Sequence, residues 1–228
     1  MNRLALRIAP LLLTMLVAGP SWAGPPTQFL DGQVKAVRAL LAKPVVKDTP
    51  EKAKVDAELR AILDPVMDFD RLSQNALRKH WDTLKAPQRA EFILIFRALV
   101  FHSYMEKIRS AGEQYTIEYE DEMPKGRKAA AVAALAKTKR AEIELVFHLI
   151  AESPTKWVAE DIVIDEVSLV ENYREQFNKI ILKDGFEALL KKMRAKLKEL
   201  GGTVDAGQPT ATDDKAKAKK TPAAVKKK

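Results

Sequence analysis

The chain has 228 residues, 46% of them apolar and 31% charged, which suits one sizeable domain, is short for two and excludes a wholly disordered chain. Cysteine is absent, which excludes disulfides, thiol catalysis, zinc ribbons and iron–sulfur ligation. The formal charge of +8 belongs to the ends: +2 on residues 1–23 and +4 on residues 201–228 leave only +2 on residues 24–200.

The first element is an address. Met1 to Ala23 has a basic start (Arg3, Arg7), an apolar stretch from Leu11 to Ala18 and the ending Ser21-Trp22-Ala23. This three-part pattern predicts a secretory signal peptide cleaved after Ala23. The alternative is an uncleaved anchor. The uncharged run from Ile8 to Ala23 is broken by Pro10, Gly19 and Pro20 and is short for about 30 Å of hydrocarbon. The expected organisation is a signal peptide at 1–23, an exported soluble α+β domain at 24–200 and a disordered Lys/Ala-rich tail at 201–228.

Helical spacing then recurs in Val34, Val37, Leu40 and Leu41. Thr49-Pro50 places an N-cap and an N1 proline before Val55, Leu59, Ile62 and Leu63. Pro65 ends or bends that helix, and Asp68 starts a short one with Leu72, Ala76 and Leu77. From Pro87 to Ile108 the apolar residues, Phe92, Phe96, Leu99, Val100 and Tyr104 among them, cover well over half the helical wheel, which predicts enclosure on most sides. The period then drops to two. Tyr115, Ile117 and Tyr119 alternate with Thr116, Glu118 and Glu120. Residues 128–137 are alanine-rich and helical by propensity, but their neighbours assign a strand. Ile143, Leu145, Phe147 and Leu149 alternate with polar residues, and a fourth strand runs from Trp157 to Val167. Ser168 and Glu171 form a capping box ahead of Val170, Tyr173 and Phe177, and Asp184 and Glu187 repeat the spacing. Helices, four antiparallel strands, then helices make an α+β domain.

Motifs of catalysis are missing. His80, His102 and His148 have no paired spacing, and the chain has no GxSxG, GxGxxG or GK[ST]. Asp64, Asp68 and Asp70 read as helix-terminal and capping carboxylates ahead of a metal or acid site. Asp161, inside an apolar strand, is either a functional acid or a paired or solvent-edge carboxylate. No catalytic or metal-binding residue is nominated. The tail's lysines lack interleaved aromatics and read as a solvated extension, with a membrane surface ahead of nucleic acid as target if it acts.

Two blocks carry a family resemblance. One comprises Asp68-Phe69-Asp70-Arg71-Leu72, Ala76-Leu77-Arg78-Lys79-His80-Trp81, Gln88-Arg89-Ala90-Glu91-Phe92 and Phe96. The other comprises Trp157, Asp161-Ile162-Val163-Ile164, Val167-Ser168-Leu169-Val170, Asn172-Tyr173-Arg174, Gln176-Phe177 and Gly185. Together they resemble the MlaC, or toluene-tolerance, family of periplasmic phospholipid-binding proteins, over roughly residues 29–198. The chain departs from the family at Arg78 and Glu166, where glycine is usual, and at Glu160, where an aromatic is.

The resemblance implies a nuclear-transport-factor-like fold: a four-stranded antiparallel sheet wrapped by N- and C-terminal helices around an apolar cavity for acyl chains. It implies a monomeric, non-enzymatic carrier with phospholipid as cargo and no cofactor. The implied partners are an inner-membrane ABC transporter complex with a lipid-binding ring component and an outer-membrane lipoprotein–porin complex, and no nucleic acid. Phe96, Leu99, Val100, Tyr104, Leu145, Phe147, Val163, Tyr173 and Phe177 are the expected lipid-binding residues. Periodicity alone favours a filled core, a preference that the resemblance reverses, and the rival reading is an exported adaptor or enzyme domain of the same fold without lipid. Arg174 reads as an ion-pair or partner-docking residue.

Overall fold

A computed structural model describes residues 24–43, 49–111, 115–138 and 141–204, with side chains for all of these but 106–111. The expected signal peptide, and the tail from residue 205, lie outside the described residues. Among the described residues, six α-helices and five strands follow in chain order: α1 (Pro25–Leu41), α2 (Pro50–Leu63), α3 (Phe69–Leu77), α4 (Ala86–Ala111), β1 (Thr116–Pro124), β2 (Ala129–Lys137), β3 (Glu142–Ala151), β4 (Trp157–Ile164), β5 (Val167–Ser168), α5 (Leu169–Asp184) and α6 (Phe186–Glu199).

Local chemistry sets most boundaries. Thr49 caps α2 by accepting from the Lys52 N–H, Asp68 caps α3 from Arg71 N–H at 2.9 Å, and Ser168 caps α5 from Glu171 N–H at 3.0 Å. Pro65 sits in a 3-10 turn, Asp64–Val66, that ends α2. Asp184 does not cap α6. The chain breaks at Gly185, whose φ of +86° suits glycine, and the Asp184 carboxylate takes Lys192 Nζ at 2.7 Å.

The strands pair in sequence order, all antiparallel. The sheet has five strands where four were expected, because the run through Val167 is interrupted at Asp165-Glu166. Both residues have positive φ, and the chain folds back into the two-residue β5. On the same edge of β4, Met67 forms a parallel bridge to Ala159, and the Asp68 N–H donates to the Ala159 carbonyl. One edge is therefore covered and β1 forms the other.

Three apolar clusters organise the interior. The helical cluster joins α3, α4, α5 and α6 around Phe92 and Phe96. The sheet cluster joins Leu30 of α1 to Val132, Leu149, Trp157 and Ala159. A third packs α1 and α2 on Phe101 and Met105 of α4. Met67 touches both the helical and the sheet clusters. The body runs past residue 200: buried Gly202 lies against His102 and Leu197, and Val204 packs on the helical cluster.

Candidate functional site

The sheet has one predominantly apolar face, and its register shows how it is made. Pairing puts Ala130 opposite Leu149, Val132 opposite Phe147, Ala134 opposite Leu145 and Ala136 opposite Ile143. On the other side of β2, Tyr119 faces Ala134 and Ile117 faces Ala136; beyond β3, Ile162 and Ile164 sit opposite Phe147 and Leu145. The small residues of β2 thus form a floor between taller rows on β1 and β3. Each alanine there lacks the bulk its neighbours carry, so the face is a trough rather than a flat wall.

Burial varies along the trough. At one end Ala130, Leu149, Trp157 and Ala159 are buried beneath Leu30 of α1 and beside Met67. At the other end Ile117, Ala136, Ile143, Leu145 and Ile164 are each only partly buried, and none belongs to a packed cluster. Two polar atoms at this face are buried without a hydrogen-bond partner, Tyr119 Oη and Trp157 Nε1. Burial, reinforced by the nearby Asp31 carboxylate, pushes the Tyr119 hydroxyl far above its ordinary pKa.

The nine sequence-predicted residues divide. Phe96, Leu99, Val100, Tyr104, Tyr173 and Phe177 come together in the helical cluster. Phe96 is enclosed, with ring centroids of Phe92, Tyr173 and Phe177 at 5.5, 5.0 and 5.5 Å and Phe69 at 6.4 Å. Tyr104 and Tyr173 lie at the border of that cluster, and burial raises both hydroxyl pKa values. Phe147 and Leu145 stand side by side in the trough. Val163 does not join them: it pairs with Val146 and Ser168 on the opposite face. The cause is a bulge between His148 and Leu149 that sets an extra residue of β4, at Glu160, outside the ladder, so the facing parity reverses beyond it.

That bulge also explains Asp161. Its Oδ1 accepts from the Ile162 and Val170 N–H groups at 2.9 and 3.1 Å, and its Oδ2 from Ser168 Oγ at 2.6 Å. The carboxylate ties β4 to the N-terminus of α5, where a negative charge is favoured. Glu160 pairs with Arg71 at 3.7 Å. Arg174 donates Nε to the Asn75 carbonyl at 3.0 Å and pairs with Glu171 at 3.3 Å, fastening α5 to α3. Arg78 and Glu166 both occupy positive-φ backbone, where glycine is unstrained.

The histidines stay apart, meeting Asn178, Arg60 and Lys125 respectively. No group of three metal-ligating side chains occurs among the described residues, and no described helix is long and apolar enough to cross a membrane. What the arrangement offers is apolar surface of defined shape, open at one end.

A solved structure shares this fold: the phospholipid-binding protein from Ralstonia solanacearum, determined in complex with a phospholipid, with a TM-score of 0.66 and 20% identity over 78% of this chain and 99% of that one. No curated protein matches. The MlaC protein family matches residues 32–195, a span that contains both blocks of the resemblance, and the chain belongs to that family.

Proposed function

We propose that this protein is a periplasmic phospholipid carrier whose trough holds acyl chains. The observation that carries the reading is the small-residue floor of β2 between Ile117 and Tyr119 on one side and Ile143, Leu145 and Phe147 on the other, partly exposed at its open end. Apolar surface of this kind costs free energy in water and is retained where something covers it. The Ralstonia solanacearum protein of the same fold was solved with a phospholipid, and the cargo class follows from that likeness. Leu145 and Phe147 would wall the chains, and Leu99, Val100, Tyr104 and Tyr173 would face them from the helices. Phe96 and Phe177 would back that layer.

The energetics constrain transfer. Burying a methylene is worth about 0.8 kcal/mol, so two chains of about sixteen carbons amount to about 25 kcal/mol against water. Noncovalent complexes rarely exceed about 20 kcal/mol, and release into water would be far too slow for a carrier. Hand-over must be to an equally dry place, a bilayer or a partner's groove, while docked. The partners in this reading are an inner-membrane ABC transporter complex with a lipid-binding ring component and an outer-membrane lipoprotein–porin complex. Such a cycle needs no catalytic residue.

The test is native mass spectrometry of protein purified from the periplasm, with organic extraction of its cargo. Wild type should carry one phospholipid. Ala136→Phe, which fills the open end of the trough, and Leu145→Glu, which charges its wall, should lose the cargo while unfolding at nearly the wild-type denaturant midpoint. Wild-type protein free of lipid, under conditions that preserve lipid on a control carrier, would overturn the reading.

A further inference from the structure

The sheet contains a second bulge, between Tyr119 and Asp121 of β1. It reverses parity there, so Glu122 shares the inner face with Tyr119 and stands opposite Val132. Its carboxylate meets the start of α1. Oε2 accepts from Thr27 N–H at 3.1 Å and from Thr27 Oγ1 at 2.5 Å. Helix α1 has no capping side chain of its own and no acid in its first turn, and Pro25 and Pro26 supply no N–H. Glu122 therefore serves, from a strand ninety-five residues away, as the anion at this helix N-terminus.

The residue before the two prolines is Gly24, the first residue after the expected cleavage site. It lies directly on the same carboxylate: a β-carbon there would overlap Glu122, at 2.7 Å from Cδ. Standard backbone dimensions then place the Gly24 nitrogen within about 5 Å of the carboxylate. In the unprocessed chain that nitrogen is an amide. Cleavage makes it an ammonium.

We propose that Glu122 is the receptor for the α-ammonium of Gly24 created by removal of the signal peptide, so that processing completes the clamp that holds α1 on the sheet. Peptide hydrolysis between Ala23 and Gly24 consumes one water and leaves a carboxylate on the departing peptide and a protonated amine on Gly24. Glu118, Glu120 and Asp121 precede Glu122 on the same strand, Glu118 being paired with Lys137. On α1, Asp31 is paired with Lys35, and Arg38 lies farther along, bonded to the Tyr115 carbonyl. Facing Glu122 from β2 are only Ala130, Val132 and Ala134, and Tyr119 is the other titratable group on this face of β1. A side chain at position 24 would push the Glu122 carboxylate aside, and the clamp forms only when cleavage falls between Ala23 and Gly24. The element it secures is the one that carries Leu30 over the closed end of the trough. Before processing α1 is held less firmly, which suits a chain that must cross a membrane unfolded. The clamp is independent of what the trough carries.

The experiment compares the chain 24–228 with a free N-terminus and with an acetylated one, each with Glu122 and with Glu122→Gln. The free amine should raise Tm by about 2–4 °C over the acetylated form at pH 7, and the difference should vanish in Glu122→Gln. The sign with pH follows from linkage. Pairing raises the amine's folded-state pKa above its ordinary value of about 8, so the stabilisation is full below about pH 8 and disappears as pH rises through the folded value. Equal Tm values, or a difference that survives Glu122→Gln, would overturn the proposal. If Glu122→Gln does not fold, the NMR titration of the Gly24 amine in the unmutated chain decides: a raised pKa supports the clamp, an ordinary one refutes it. Exported protein whose mass shows a start other than Gly24 also refutes it.

Discussion

Phe96 and Leu145 are both large apolar residues on regular elements, yet the fold uses them differently. Phe96 sits at the centre of α4 with aromatic rings on several sides and no exposure. Leu145 sits on a sheet face beside alanines, partly exposed and outside every packed cluster. The helical half is filled; the sheet half is shaped. A protein that must keep apolar surface available cannot rely on that surface for its stability. Here the stability resides in the helices and in the closed end under α1, while the open end of the sheet is left to serve something else.

Cutting into the filled half should have the largest effect. Phe96→Ala should lower stability by about 3–5 kcal/mol, measured as a fall in the denaturant midpoint, whereas Leu145→Ala should cost under about 1 kcal/mol and act on cargo instead. A comparable loss at both positions would erase the contrast. Leu99, nearly as buried in α4, packs in the same cluster as Phe96, so a charge on this cavity-facing residue should destabilise the protein as well as empty it. Next in size is the joint between the halves. Asp161→Ala removes three hydrogen bonds, two at the start of α5 and one within β4, and should cost about 2–3 kcal/mol. The smallest effects sharpen the comparison by stabilising the frame without touching the trough. Arg78→Gly and Glu166→Gly relieve positive-φ backbone and should each add about 1 kcal/mol, with cargo unchanged. A loss of stability at either would show that its side chain has a role beyond its backbone.

Most of the frame was readable in the residues. Thr49, Asp68 and Ser168 announced their caps, helical spacing placed the helices that carry it, and alternation in β3 put Leu145 and Phe147 on one face. Parity failed where the strands bulge. Counting by twos from Trp157 puts Val163 inward, and counting by twos from Tyr119 puts Glu122 outward; both are reversed, because one residue is left out of the ladder at each place. The clue was chemical: a carboxylate within an apolar strand, Asp161, and an acidic run, Glu118 to Glu122, too long for simple alternation. The trough was hidden for another reason. Its signal is the lack of large side chains at Ala130, Ala134 and Ala136, which single-residue propensity reads as helix. The glycines usual at positions 78 and 166 proved to mark backbone geometry: the turns are kept here without them.

The uncovered edge of the sheet has a consequence for the molecule among its own copies. A terminal strand offers unpaired amide and carbonyl groups to any extended chain, and a partly exposed apolar face beside it would make strand-to-strand growth self-reinforcing. Here that edge carries Glu118, Glu120 and Asp121 and is kinked by its bulge. Two copies approaching edge to edge would bring like charges together on a line that is not straight. A protein built this way can keep an apolar face partly exposed and still disfavour edge-to-edge growth, because the acids repel the one neighbour it always has in abundance.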